Sequence, residues 1–170
     1  MLREARMSRM LFVALGVLFA RCAHAADIEV VLEGLNPRGG KVHAFVIDDP
    51  VQFETDVQVR ATVSATGEIN VGVFTADTDV RIQPNQRVTL PIPPNTNKAR
   101  FRFSGFPPGE YAVALYQDLD GDQKLATTLR GVPKEPWGMS NNPLLDRPAK
   151  WSDAHFTVPE EGITINIRMQ

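Results

Sequence analysis

The sequence predicts an all-β protein built as an antiparallel two-sheet sandwich, and three observations carry that prediction. Apolar residues recur with period two along residues 26–170, while helical spacing is almost missing. Clusters of Gly, Pro, Asn and Asp interrupt the apolar runs at short intervals, as turns between short strands require. One run, residues 110–117, is apolar on both sides, which suits a central strand. Seven to nine short strands are expected, with one long Gly/Pro/Asn-rich loop over residues 117–154.

The elements follow in order. Ile28, Val30 and Leu32 alternate with Glu29 and Val31, and Asn36-Pro37-Arg38-Gly39-Gly40 then turns the chain into a strand over 41–47. The two strands are expected to form a hairpin. Further strands are expected over 57–63, 68–74 and 80–90, separated by Ser64-Ala65-Thr66-Gly67 and Asp77-Thr78-Asp79. Ala99, Phe101 and Phe103 alternate with Arg100 and Arg102, which places aromatics on a core face and guanidinium groups in solvent. Pro108 and Gly109 have the chemistry of a type II turn, with φ preset by proline and positive φ accepted by glycine. After it, Tyr111, Val113 and Leu115 share one side of a strand, and Ala112, Ala114 and Tyr116 the other. Ile163, Ile165, Ile167 and Met169 give the closing strand a single core face.

The N-terminus reads as a secretory signal peptide over residues 1–25. It has a basic start with Arg3, Arg6 and Arg9, an apolar stretch over 10–20, and the small-residue pattern Ala23-His24-Ala25. That stretch is shorter than the roughly 20 residues a membrane span needs, and no later segment is longer. Cys22 occupies a place where lipidation occurs, but Arg21 stands where a small residue is wanted. Cleavage after Ala25 would remove the only cysteine, so residues 26–170 would form a single periplasmic or secreted domain without a disulfide or thiolate metal site. The leader holds Arg3, Arg6, Arg9 and Arg21 against Glu4, so the net charge of −2 becomes −5 once it is gone. An acidic domain argues against a nucleic-acid partner.

Two segments carry candidate chemistry. Asp118, Asp120 and Asp122 recur at alternate positions, and carboxylates so spaced can converge on a hard cation such as Ca²⁺, which takes about six to eight oxygen ligands. In an EF-hand-like alignment they fill the first, third and fifth ligand positions. The rest departs from that pattern, with Gln123 in place of the glycine and Ala126 and Leu129 at later ligand positions. The competing reading is a solvated acidic turn whose side chains accept nearby backbone N–H groups. The second segment, Trp137-Gly138-Met139-Ser140-Asn141-Asn142, joins an indole to a hydroxyl and two amides. With Trp151 it can form a ligand site that stacks on a sugar ring and bonds its hydroxyls. Alternatively, Trp137 and Trp151 plug the end of the sandwich while Ser140, Asn141 and Asn142 satisfy the loop's own backbone.

Three blocks together, Phe106-Pro107-Pro108-Gly109-Glu110-Tyr111-Ala112-Val113, residues 118–125 and residues 131–142, resemble the uncharacterised secreted bacterial family known as domain of unknown function 2141. Trp151-Ser152-Asp153-Ala154-His155-Phe156 and the final strand also fit. The resemblance implies an immunoglobulin-like or transthyretin-like sandwich in the cell envelope, with no activity attached. Ala126 departs from the acidic or amide residue usual there, and residues 54–92 are longer than the usual connection.

Catalytic residues are not expected. His43 and His155 lie far apart in sequence, and neither a Gly-x-Ser-x-Gly elbow nor a phosphate-binding glycine loop is present. The closing Tyr-Arg-Gly-Ser motif of the transthyretin-like hydrolase is missing from a chain ending Asn166-Ile167-Arg168-Met169-Gln170. The sequence therefore points to a non-enzymatic module that binds an envelope protein or glycan through residues 118–154. The alternative is a Ca²⁺-stabilised structural module, and a lesser one an undetected hydrolase. Oligomeric state is left open.

Overall fold

Alternation along β1 (Ala26–Glu33) buries Ile28, Val30 and Leu32 completely and turns Asp27, Glu29 and Glu33 toward solvent. β6 (Lys98–Phe106) does the same with Ala99, Phe101 and Phe103 inside and Arg100 and Arg102 outside. The computed structural model describes residues 25–59, 68–70, 78–81, 84–128 and 132–170. The remaining elements are β2 (Gly40–Ile47), α1 (Pro50–Val59), β3 (Glu68–Asn70), β4 (Thr78–Arg81), β5 (Arg87–Ile92), β7 (Gly109–Asp118), β8 (Trp137–Met139), α2 (Trp151–Ala154), β9 (Phe156–Val158) and β10 (Ile163–Arg168).

The strands form a two-sheet sandwich. One sheet has the order β10-β1-β6-β4 and the other β3-β5-β2-β7-β8, with β9 also paired to β7. The second sheet is mainly antiparallel, with β3–β5 parallel, whereas in the first β1–β6 is antiparallel and β1–β10 and β4–β6 run parallel. On the outer face of the first sheet the paired rows carry opposite charges. Arg100 meets Glu29 at 2.9 Å and Lys98 meets Glu33 at 2.8 Å, so the arginines are solvent-face strand residues, as their alternation indicates. Between the sheets, Phe101, Phe103, Phe106 and Tyr111 form a chain of tilted and edge-on rings, with adjacent centroids 5.0 to 6.4 Å apart.

Several local expectations are corrected. β1 and β2 are not a hairpin: they lie in different sheets, and the connection crosses the sandwich. The buried Gln117 side chain holds this crossing by donating to the carbonyls of Asn36 and Gly39 and accepting the Asn36 N–H at 2.7 Å. Gly40 has φ +109°, and a Cβ there would strike the Asp118 carbonyl. Residues 57–59 are helical rather than extended, because Asp49 caps α1 by accepting the N–H groups of Val51 and Gln52, and Pro50 presets the first turn. Residues 60–63, the turn at 64–67 and residues 71–74 lie outside the described residues, as does the leader through residue 24.

The expected strand over 80–90 is two strands, β4 and β5, with a turn at 84–85, and Thr78 and Asp79 belong to β4 rather than to a turn. Gly109 does not take positive φ; it opens β7, because the chain here passes from one sheet to the other instead of folding back. Tyr111 secures the passage by donating its hydroxyl to the Pro107 carbonyl at 2.9 Å, the device of the tyrosine corner in β-sandwiches. Burial, and secondarily the Asp48 charge, pushes the Tyr111 hydroxyl pKa upward. β7 is the central strand its composition implies, flanked by β2 on one side and by β8 and β9 on the other. Its second face is covered by a smaller core of Phe45, Ile47, Phe53, Ala112, Tyr116, Met139, Ala149 and Ala154 under α1 and α2. The segment after β7 therefore contains β8, α2 and a Thr127–Pro133 bridge rather than one structureless loop.

Candidate functional site

The acidic turn grows from the end of β7. Asp118 is 1% exposed; its Oδ1 accepts the Gly121 N–H at 2.6 Å, and its Oδ2 accepts the Gln123 N–H at 3.0 Å. Burial alone would push this carboxyl up, but the two backbone donors and the His43 imidazole outweigh it and hold the group below the ordinary carboxylate range. Asp120 accepts the Asp122 N–H and Asp122 the Lys124 N–H, each two residues on, in Asx-turn fashion. Glu135 reaches back from the far arm and accepts the N–H groups of Leu119 and Ala126. Tyr116 donates its hydroxyl to the Gln123 carbonyl at 2.8 Å, and burial raises its own pKa strongly against a partial offset from Arg87.

The structure thus joins Asp118 and Asp120 to Glu135, not to Asp122. Oxygen atoms of these three carboxylates lie within 4.8 Å of one another. Two oxygens that ligate one Ca²⁺ at about 2.4 Å cannot be farther apart than about 4.8 Å, so the spacing is compatible with a shared ion. Three side chains fall short of a full Ca²⁺ shell, and Asp118 and Glu135 already spend lone pairs on backbone donors.

Beneath the turn, His43 is fully buried between Thr89 and Asp118. Its Nε2 faces Asp118 Oδ2 at 3.4 Å and its Nδ1 faces Thr89 Oγ1 at 2.9 Å, with the Tyr116 ring at 4.9 Å. A carboxylate only accepts, so in the neutral ring Nε2 carries the proton and Nδ1 accepts from the threonine hydroxyl. Hydroxyl, imidazole and carboxylate stand in the order of a nucleophilic triad. All three are buried, however, Thr89 with 5% of its surface exposed. His155 lies elsewhere, stacked on Trp151 at 5.6 Å and facing Glu110 at 3.7 Å.

The residues of the second segment are taken up by the fold. Trp137 exchanges backbone hydrogen bonds with Gln170, joining β8 to the end of β10 and so one sheet to the other. A Cβ on Gly138 would lie 2.8 Å from Ile167 Cγ2 and 3.1 Å from the Arg168 carbonyl, so only glycine lets these strands come so close. Ser140, fully buried, accepts the Val113 N–H at 3.0 Å and donates to the Ala154 carbonyl at 2.5 Å, tying β7 to α2. Asn141 and Asn142 take positive φ. Asn141 donates to the carbonyls of Asp153 and His155. Asn142 pairs with the free side of β10 as a strand would, donating to the Asn166 carbonyl at 2.8 Å and accepting the Arg168 N–H at 2.6 Å. Trp151 packs edge-on against Phe53 at 5.8 Å in the smaller core.

Past Asn142 the chain walls an open groove of about 370 Å³ over the ends of β1 and β10. It is lined by Glu33, Asn142, Leu144, Asn166, Ile167, Arg168 and Gln170. Of these, only Asn142 belongs to the residue set the sequence suggests. Leu144, 88% exposed, carries a weak sequence signal as an apolar residue amid loop residues; Glu33 and Arg168 look like ordinary strand charges until the fold brings them beside it.

Fold and site together define a two-sheet β-sandwich in which a loop seals the β10 edge and ends in a surface groove. The chain belongs to a bacterial family, domain of unknown function 2141, described as an uncharacterized protein conserved in bacteria, whose profile matches residues 57–166. No curated protein and no solved structure matches the chain.

Proposed function

We propose that this chain is a non-enzymatic binding module of the periplasm or cell exterior, engaging an envelope protein or glycan through the segment 118–154. The observation that carries this reading is the groove beside Asn142 and Leu144. The segment is pinned by side-chain bonds to β7, α2 and β10, so the groove is a preformed concavity rather than a loose loop. The basic and apolar leader supports the location, and among the described residues no helix is long and apolar enough to cross a membrane. Retention of an envelope protein, or a signal on an array of envelope glycans, that Leu144→Ser combined with Arg168→Gln abolishes would support the reading. Binding unaffected by those changes, or no binding in either assay, would overturn it.

The convergence of Asp118, Asp120 and Glu135 favours a second reading, a Ca²⁺-stabilised module in which the ion orders the turn. An ion that binds only the folded state raises its stability by mass action. Thermal unfolding in EDTA and then in excess Ca²⁺ tests this: an upward shift abolished by Asp120→Ala supports it, and equal midpoints at millimolar ion end it.

A further inference from the structure

The groove has a chemical character that narrows its ligand. The Arg168 guanidinium bonds nothing among the described residues more closely than Glu33, whose Oε2 stands 4.0 Å away. The other Glu33 oxygen is taken by Lys98 at 2.8 Å, so its charge is already matched. One positive charge is therefore left over at the groove in a chain whose net charge is negative. Beside it Leu144 is held out in solvent by fixed neighbours. The Pro143 carbonyl accepts from Gln170 Nε2 at 3.2 Å, and Leu145 is anchored in the smaller core. An exposed leucine restrained on both sides loses little freedom on contact with a ligand.

We propose that the groove binds a small amphipathic carboxylate, with Arg168 holding the carboxylate and Leu144 covering the apolar group next to it. The planar guanidinium matches a carboxylate with two parallel N–H···O bonds. The one positive charge left over matches a singly charged carboxylate better than a doubly charged phosphate. A peptide C-terminus with an apolar last residue and an alkyl carboxylate share this chemistry. The inference rests on the reading of the groove as the binding surface.

The test is titration of the folded protein with N-acetyl-Ala-Leu, with its C-terminal amide and with octanoate, followed by amide chemical shifts. Shifts confined to residues 142–144 and 166–170 are expected, with the peptide amide about tenfold weaker than the acid. Arg168→Gln should remove that preference, and Leu144→Ser should weaken acid and amide alike, both at an unchanged unfolding midpoint. A response to the peptide acid alone assigns a chain terminus, and one to octanoate alone an alkyl carboxylate. No shift in the groove with any probe, or an amide bound as tightly as the acid, overturns the proposal. If the probes fail while the double variant still abolishes envelope binding, the ligand class is wrong and the groove reading stands. If envelope binding also survives the double variant, both fall.

Discussion

The two faces of β7 are buried by different means. Tyr111, Val113 and Leu115 face a core built mainly by strands of the two sheets. Ala112, Ala114 and Tyr116 face a smaller core roofed by α1, α2 and the segment after β8. The strand-built core follows from alternation, which needs no particular residue at any one place. The roofed core depends on individual side chains that bond backbone groups: Ser140, Asn141 and Asn142 each fix one piece of the roof. The first kind of burial supplies stability, and the second supplies a shaped surface at the cost of relying on single residues.

Truncation of the large core aromatics separates the two cores most sharply. Phe103→Ala should cost about 3–5 kcal/mol of global stability in urea unfolding, because the fully buried ring packs against Phe101 and Phe106 within the rigid layers. Phe53→Ala empties the roofed core instead. It should speed amide exchange in α2 while β1 and β6 stay protected, since a region can open below the global limit. Equal acceleration in both regions would show that the cores unfold as one unit.

Ser140→Ala should cost less, about 1–3 kcal/mol, because it strands the Val113 N–H and the Ala154 carbonyl inside the protein. Gly138→Ala should cost a similar or smaller amount, about 1–3 kcal/mol, by forcing β8 away from β10. Its signature is local: faster exchange of the Trp137 and Gln170 amides than in Ser140→Ala, measured at matched stability. If exchange there is unchanged, the glycine does not hold the sheets together.

The sequence makes the strand-built core legible because burial there repeats every second residue. Phe101 with Phe103, both faces of β7, and Ile167 with Met169 can all be placed from period two. The crossing from β1 to β2 cannot, because Asn36 to Gly40 would serve a hairpin equally well; what decides is Gln117, 81 residues away in sequence. Asp49-Pro50 is a readable helix start, but the β-branched Val57 and Val59 later in the segment favour a strand reading. Glu135 gives no local sign of meeting Asp118 and Asp120, since the far arm of a long loop carries it there. Trp137 to Asn142 are recognisable as a block, yet the roles of Gly138 and Asn142 depend on β10, which follows much later in the chain.

The smallest effect concerns the electrostatic pin of the roof. Asp153 accepts Arg147 through both oxygens, at 2.8 and 3.0 Å, and takes the Lys150 N–H at 2.7 Å. The Arg147 guanidinium, ahead of the backbone bond, lowers its carboxyl from the ordinary 3.8 to about 2. A carboxyl depressed on folding stabilises the protein above its unfolded pKa and loses that contribution as pH falls through the folded one. The benefit should therefore be complete above about pH 4 to 5 and fade toward pH 2. Asp153→Asn should accordingly trail the wild protein at pH 5 and converge with it at pH 2 in urea unfolding, a difference that salt reduces because the pair is partly in solvent. The same substitution should leave β6 exchange untouched while quickening α2. A gap that stays constant with pH would mean that the aspartate acts through its bond to the Lys150 N–H, as a neutral cap would, and not through its charge.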